Sequence, residues 1–398
     1  MIKPFPPRWR DPAAWIDAAY DPHIRGIALQ ALLLITVALL AITIGLNTAA
    51  NLKAQNVASG FDFLSRTAGF DVSQALVPYS SESSYAQAFW VGLSNTLLVA
   101  ALGIVFATVV GFALGIARVS ENWLASRLAL AYVEIVRNVP LLLQLLVWYV
   151  AVLRSLPAPS AAFHLPGGAV LDVRGLHVPR LAFEHGWLVA LTLTLSIAGA
   201  VLLWRDARGL RARGMARSPS VIRATWAAVV FVPLIALALA GSTMHATYPT
   251  LGRFNHDGGV SIEPEFVALL VGLSIYTAAF IAEIVRAGLL GVPEGQREAA
   301  AALGLNHSQA LRLVILPQAL RIIIPPLTNQ YLNLTKNSSL AVAIGYPDLV
   351  SVFAGTVLNQ TGQAVEVIAI TMGVYLLISL ATAMFMNWLN TRTGWRER

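Results

Sequence analysis

Long apolar runs alternate with shorter polar ones along most of this chain, and the pattern predicts an all-α, polytopic membrane bundle of about eight crossing helices. The runs lie at 26–46, 88–119, a segment continuing to about 154, 187–204, 227–241, 265–290, 318–345 and 364–389. Most approach or exceed the roughly 20 residues that span a bilayer as a helix. Polar or Pro- and Gly-bearing stretches at 47–87, 155–186, 242–264 and 346–363 are expected on one face of the membrane. The first run is longer than a usual signal-peptide core and is followed by further spans, so an uncleaved anchor is expected.

One interlude breaks the pattern. Residues 291–317 read GVPEGQREAAAALGLNHSQALRLVILP, polar and Ala-rich between two strongly apolar segments. Pro293 suits a first helical turn, good helix formers follow from Gln296 to Leu303, and Gly304 supplies a stop. Asn306, three residues before Gln309, has the pattern of a reciprocal cap, so a second helix should begin there and Pro317 should interrupt it. By itself the stretch is also compatible with an amphipathic connector that has no partner.

Composition agrees with the membrane reading: 57% of residues are hydrophobic, 12% are charged and the mean hydropathy is +0.68. The net charge of +7 does not point to nucleic acid, because the basic residues cluster beside apolar runs as the positive-inside rule requires. Lys3, Arg8, Arg10 and Arg25 precede the first run, Arg205, Arg208, Arg211, Arg213, Arg217 and Arg223 face one acid, Asp206, and Arg392, Arg396 and Arg398 end the chain. Both termini are therefore expected in the cytoplasm. The 205–223 loop has no evident task beyond orientation.

The absence of cysteine excludes disulfides, thiol catalysis and iron–sulfur clusters. His164, His177 and His185 form a loose group without metal-binding spacing, so loop histidines and no metal site are expected. No GxSxG motif or paired intramembrane aspartate suggests an enzyme. A phosphate-binding loop needs Gly-Lys-Ser/Thr, and the three lysines follow Ile2, Leu52 and Thr335. Any ATP-driven work must be done by another polypeptide.

With these residues in view, Glu298-Ala299-Ala300, three residues, Gly304, nine residues, then Val314-Ile315-Leu316-Pro317 is similar to the cytoplasmic "EAA" loop of binding-protein-dependent ABC importer permeases. Val314 stands where the family prefers Ile. Residues 132–144, with Tyr132, Glu134, Arg137, Pro140 and Gln144, resemble a signature of the polar amino-acid permeases in that superfamily. So do residues 276–288, and the segment 317–340 with Pro325-Pro326, Asn329, Asn333, Lys336 and Ser339-Leu340. The tetrapeptide Glu-Ile-Val-Arg at 134 and 283 reads as one i,i+3 ion pair used twice at helix ends.

The resemblance implies a five-helix permease core in two parts, 88–154 and 265–398, preceded by an anchor segment, 1–87, and interrupted by an insertion, 155–264. The enlarged layout looks like the larger subunit of heterodimeric importers for general or acidic and amide L-amino acids in a bacterial inner membrane. It implies a second permease subunit, two ATP-binding subunits that hold ATP and Mg, an external amino-acid-binding protein, surrounding lipids and no cofactor on this chain. Glu298, Ala299, Ala300 and Gly304 are the expected ATPase-coupling residues. Asn95, Gln144, Asn329, Asn333 and Lys336 are candidates to line the substrate route. Two accounts of Lys336 stand: a route-facing cation, or a side chain snorkelling from an outer helix end. The alternatives are a secondary amino-acid transporter, which should show inverted repeats and midplane charges, and an importer of another small polar solute.

Overall fold

The structure is a computed structural model that describes residues 22–54, 59–183, 191–192, 194–201, 224–229, 231–233, 235, 244–252 and 256–393. Among the described residues, five helices are long and apolar enough to cross a membrane, or six if one bent pair is a single span. The first is α1, Pro22–Ala54, whose apolar window is wholly exposed. The remainder are α2, Tyr85–Arg118; the bent pair α3, Trp123–Asn138, and α4, Leu141–Leu146; α5, Pro264–Leu290; α7, Leu316–Asn337; and α8, Ala364–Thr393. A short α6, Glu294–Ala302, follows α5. The two inserted spans, 187–204 and 227–241, fall largely outside the described residues, as do the 205–223 arginines, His185 and both chain ends.

The bundle is built on α2 against α5, its most extensive helix pair. Ser84 and Gln87 form a reciprocal cap at the start of α2. Gly111 and Gly115, one turn apart, then let its backbone lie directly on α5, where Ile281 and Val285 are buried. A third layer comes from α7, through Ala319, Ile323 and Leu334. Between α3 and α4 the chain turns by 105° at Pro140, which cannot donate to the preceding helix. The amide of Gln144 holds that corner, donating to the carbonyls of Val136 and Val139 at 2.8 and 2.9 Å.

The fold is mostly helical, as expected, and two local readings need correction, at Pro317 and at the paired Glu-Ile-Val-Arg. A small strand-bearing region accompanies the helices: β1, Phe163–Leu165, β2, Ala169–Asp172, β3, Gly175–Val178, and β8, Val260–Ile262, form an antiparallel sheet in the order β1-β2-β3-β8. Two further strand pairs join β4, Arg180–Phe183, to β5, Met244–Thr247, and β6, Thr250–Leu251, to β7, His256–Asp257. These strands are too short for period-2 patterning to stand out, and β3 pairs with β8 across 84 residues of sequence from His177 to Ser261.

Pro317 does not interrupt its helix. A π-helical turn at Leu311–Ile315 sits just before it and leads directly into α7, where the proline occupies the first turn and its missing N–H costs nothing. Residues 346–363 pack against the stretch before α2: Leu349, Phe353 and Val357 are fully buried against Phe63 and Tyr85. Lastly, the paired Glu-Ile-Val-Arg device forms only once. Glu283 bonds Arg286 at 2.6 Å and also Arg118 at the end of α2, whereas Arg137 lies over the Phe280 ring at 5.1 Å and makes no ion pair with Glu134 among the described residues.

Candidate coupling wedge and polar face

At the end of α5 the chain makes a compact wedge. Pro293 is the N-cap of α6 and not its first helical residue. At the other end Gly304 is left-handed, with φ of 73°, and the N–H groups of Gly304 and Leu305 return to the carbonyls of Ala301 and Ala300 at 2.9 and 3.1 Å. This closure satisfies the helix's last acceptors and ends it after nine residues. Asn306 and Gln309 then exchange backbone-to-side-chain bonds of 2.9 and 3.0 Å, which restarts the helix in a new direction.

The wedge has two faces. Ala300 is buried, Val292 just before the helix is buried too, Arg297 donates to the Leu289 carbonyl at 3.2 Å, and Gln318 bonds Gln296 at 3.0 Å. These contacts tie the wedge to the end of α5 and the start of α7. On the outer side Glu298 and Ala299 are exposed, Gly304 is open, and Leu303 is 78% exposed. A nine-residue helix and its C-cap residue thus carry a carboxylate, small side chains and one large apolar side chain, Leu303, that nothing among the described residues covers.

The polar-route candidates separate into two groups. Asn95 is fully buried and donates to the carbonyls of Gln74 and Pro347 at 2.8 and 2.9 Å, while its neighbour Thr96 accepts from the Leu349 N–H at 3.0 Å. Both tie α2 to the segment after α7. Gln144 is engaged at the Pro140 corner. Asn329, Asn333 and Lys336 are instead exposed, and their spacing places them along one face of α7, running toward the end remote from the wedge. That end is also where the sheet joins α5 at Pro264.

Two constellations had no sequence signal. Arg118 meets Glu283 across 165 residues, linking α2 to α5 beside the wedge. The fold also gathers Asp172, His177 and His256, all buried, although no local spacing suggested it. Asp348, between α7 and α8, is buried where its carboxylate accepts from the Ser351 N–H at 2.8 Å and the Tyr375 hydroxyl at 3.2 Å. Burial pushes its carboxyl up to about 7 despite those bonds.

The family described as binding-protein-dependent transport system inner membrane component matches residues 217–395. The chain is 47% identical to the general L-amino acid transport system permease protein AapQ of Rhizobium johnstonii, over 96% of this chain and 95% of that one. It is 49% identical to the putative amino-acid ABC transporter permease protein YhdX of Escherichia coli, over 95% and 96%. It is 39% identical to the glutamate/glutamine/aspartate/asparagine transport system permease protein BztB of Rhodobacter capsulatus, over 95% and 96%. The chain belongs to the family of ABC transporter permeases, the binding-protein-dependent inner membrane components.

Proposed function

We propose that this chain is the larger permease subunit of a heterodimeric, ATP-driven importer of L-amino acids in a bacterial inner membrane, with both termini cytoplasmic. An external binding protein delivers the amino acid, and two separate ATPase subunits hold ATP and Mg. The observation that carries the reading is the outer face of α6. It is held rigidly by caps at both sides of Gly304, yet it leaves Leu303 78% exposed beside Glu298 and Ala299. Such a face suits a groove on a partner, with Glu298 as a charged anchor and Ala299 permitting close approach. The substrate class is carried over from the names of relatives similar along nearly the whole chain.

The anchoring side of the wedge gives the coupling a physical route. Closure of the ATPase pair displaces α6, and the Arg297 and Gln318 bonds transmit that motion to α5 and α7. Along α7, Asn329 and Asn333 offer both donors and acceptors, and Lys336 offers a cation for a carboxylate. A free amino acid presents an ammonium and a carboxylate, so this exposed strip complements it when the second permease subunit closes the route. Asn95 and Gln144 act in the same route by holding its frame.

Reconstitution with the partner subunits and a binding protein loaded with single amino acids tests the proposal. ATP hydrolysis and uptake should be stimulated by an L-amino acid. Glu298→Lys and Gly304→Asp should abolish coupled uptake while membrane insertion persists. Normal uptake in both variants, or transport without the ATPase, would overturn the coupling role.

A further inference from the structure

We propose that Asp172, His177 and His256 form a zinc site that pins together the two strand-bearing segments flanking residues 184–243. Asp172 ends β2, His177 lies in β3 and His256 begins β7. Their ligating atoms lie within 4.8 Å of one another. The Asp172 Oδ2 atom is 3.5 Å from His177 Nε2 and 3.1 Å from His256 Nδ1. Tetrahedral zinc with bonds of roughly 2.0–2.2 Å requires neighbouring donors about 3.3 Å apart, the midpoint of those separations.

Among the described residues the same three atoms are left without hydrogen bonds. Asp172 Oδ2, His177 Nε2 and His256 Nδ1 are each buried and unpartnered, so even the 3.1 Å approach is not directed as a hydrogen bond. The opposite atoms of two of these groups are already engaged. Asp172 Oδ1 accepts the Arg174 N–H at 2.7 Å, and His177 Nδ1 pairs with Ser261 Oγ at 2.8 Å. A proton on His177 Nδ1 leaves the Nε2 lone pair facing the cluster, the arrangement by which outer-shell partners orient metal ligands.

Charge supplies the driving force. Asp172 is fully buried, His177 is 1% exposed and the His256 side chain is 3% exposed. An unpaired carboxylate in such a place is strongly disfavoured. A divalent ion neutralises it and accepts all three lone pairs at once. Two imidazoles and one carboxylate form a donor set of borderline softness suited to zinc, and water completes the fourth position. Because His177 and His256 come from opposite sides of residues 184–243, the ion acts as a cross-link in a chain that contains no cysteine.

The test uses the full chain, purified in detergent with its partner permease, stripped with chelator and then incubated with zinc. Elemental analysis should give about one zinc per chain by this ligand count, and thermal stability should fall on chelation and return with zinc. His256→Ala and Asp172→Ala should lose the stoichiometric zinc and the chelator response. Because those variants can also disturb folding, His177→Cys provides an independent readout. With cobalt in place of zinc, it should add a near-ultraviolet thiolate charge-transfer absorption that the wild type, lacking cysteine, does not show. Zinc at background in the wild type, full zinc retention in the Ala variants, or a cobalt-loaded His177→Cys protein without that absorption would each overturn the site. None of these measurements depends on transport.

Discussion

The closeness of α2 to α5 can be tested by adding a single methyl group. A Cβ built on Gly111 falls 2.6 Å from the Cβ of Ile281 and 3.0 Å from the carbonyl oxygen of Ala278. One built on Gly115 falls 2.6 Å from the Cβ of Val285 and 2.8 Å from the carbonyl oxygen of Ala282. Ordinary contact begins near 3.4 Å, so each alanine lies about 0.8 Å too close. Beside the γ carbons of Ile281 and Val285, the obstructing atoms at each position include a Cβ and a backbone oxygen, which no rotamer change can move. The helices must therefore separate, and overpacking of this kind costs about 1–3 kcal/mol at each position.

Gly373 in α8 is the matched control, since a Cβ there meets nothing within 4 Å. Alanine at 373 should be neutral or stabilising by up to about 1 kcal/mol, through helix propensity. The assay is thermal unfolding of the detergent-solubilised protein, comparing Gly111→Ala, Gly115→Ala and Gly373→Ala. The first two should melt several degrees lower and the third should not, with shifts on the order of 2–4 °C per kcal/mol. Trimming Val285 to Ala should not rescue Gly115→Ala, because the clashing Cβ and the Ala282 oxygen both remain. Equal melting of all three glycine variants would refute the direct backbone contact.

Asp348 should make stability depend on pH. Its folded carboxyl is raised to about 7 from an ordinary value of 3.8, so the folded state favours the protonated form. Stability should fall as pH rises between those values, at up to about 1.4 kcal/mol per pH unit, and then level off. Asp348→Asn should remove that part of the slope between pH 5 and 7.5 in melting measurements; an unchanged slope would count against it. At the wedge end, Glu283→Gln replaces a carboxylate shared by Arg118 and Arg286 with a neutral amide. It should cost about 2 kcal/mol, the range for hydrogen bonds to charged groups, and the Arg118→Gln double variant should lose less than the two single losses combined.

Much of the wedge was legible because its determinants are local. Gly304 read as a stop because a left-handed residue closes a helix most easily without a side chain, and Asn306 with Gln309 read as a cap because the partners are three residues apart. The burial of Ala300 was not legible in the same way. It depends on how α6 lies across the ends of α5 and α7. The polar candidates show the same divide: Asn95 and Lys336 are both plausible from residue type, but only packing buries one and exposes the other.

From residue order alone came the membrane class, the apolar helices and the caps around Gly304. Each follows from hydrophobicity, propensity or hydrogen bonding within a few turns of chain. Tertiary structure decided which Glu-Ile-Val-Arg copy became an ion pair, how residues 349–357 were buried, and which strands paired across the insertion. It also brought His177 to His256. Those outcomes require segments tens to hundreds of residues apart to meet, and burial and charge pairing can select among such meetings only once the helices have packed.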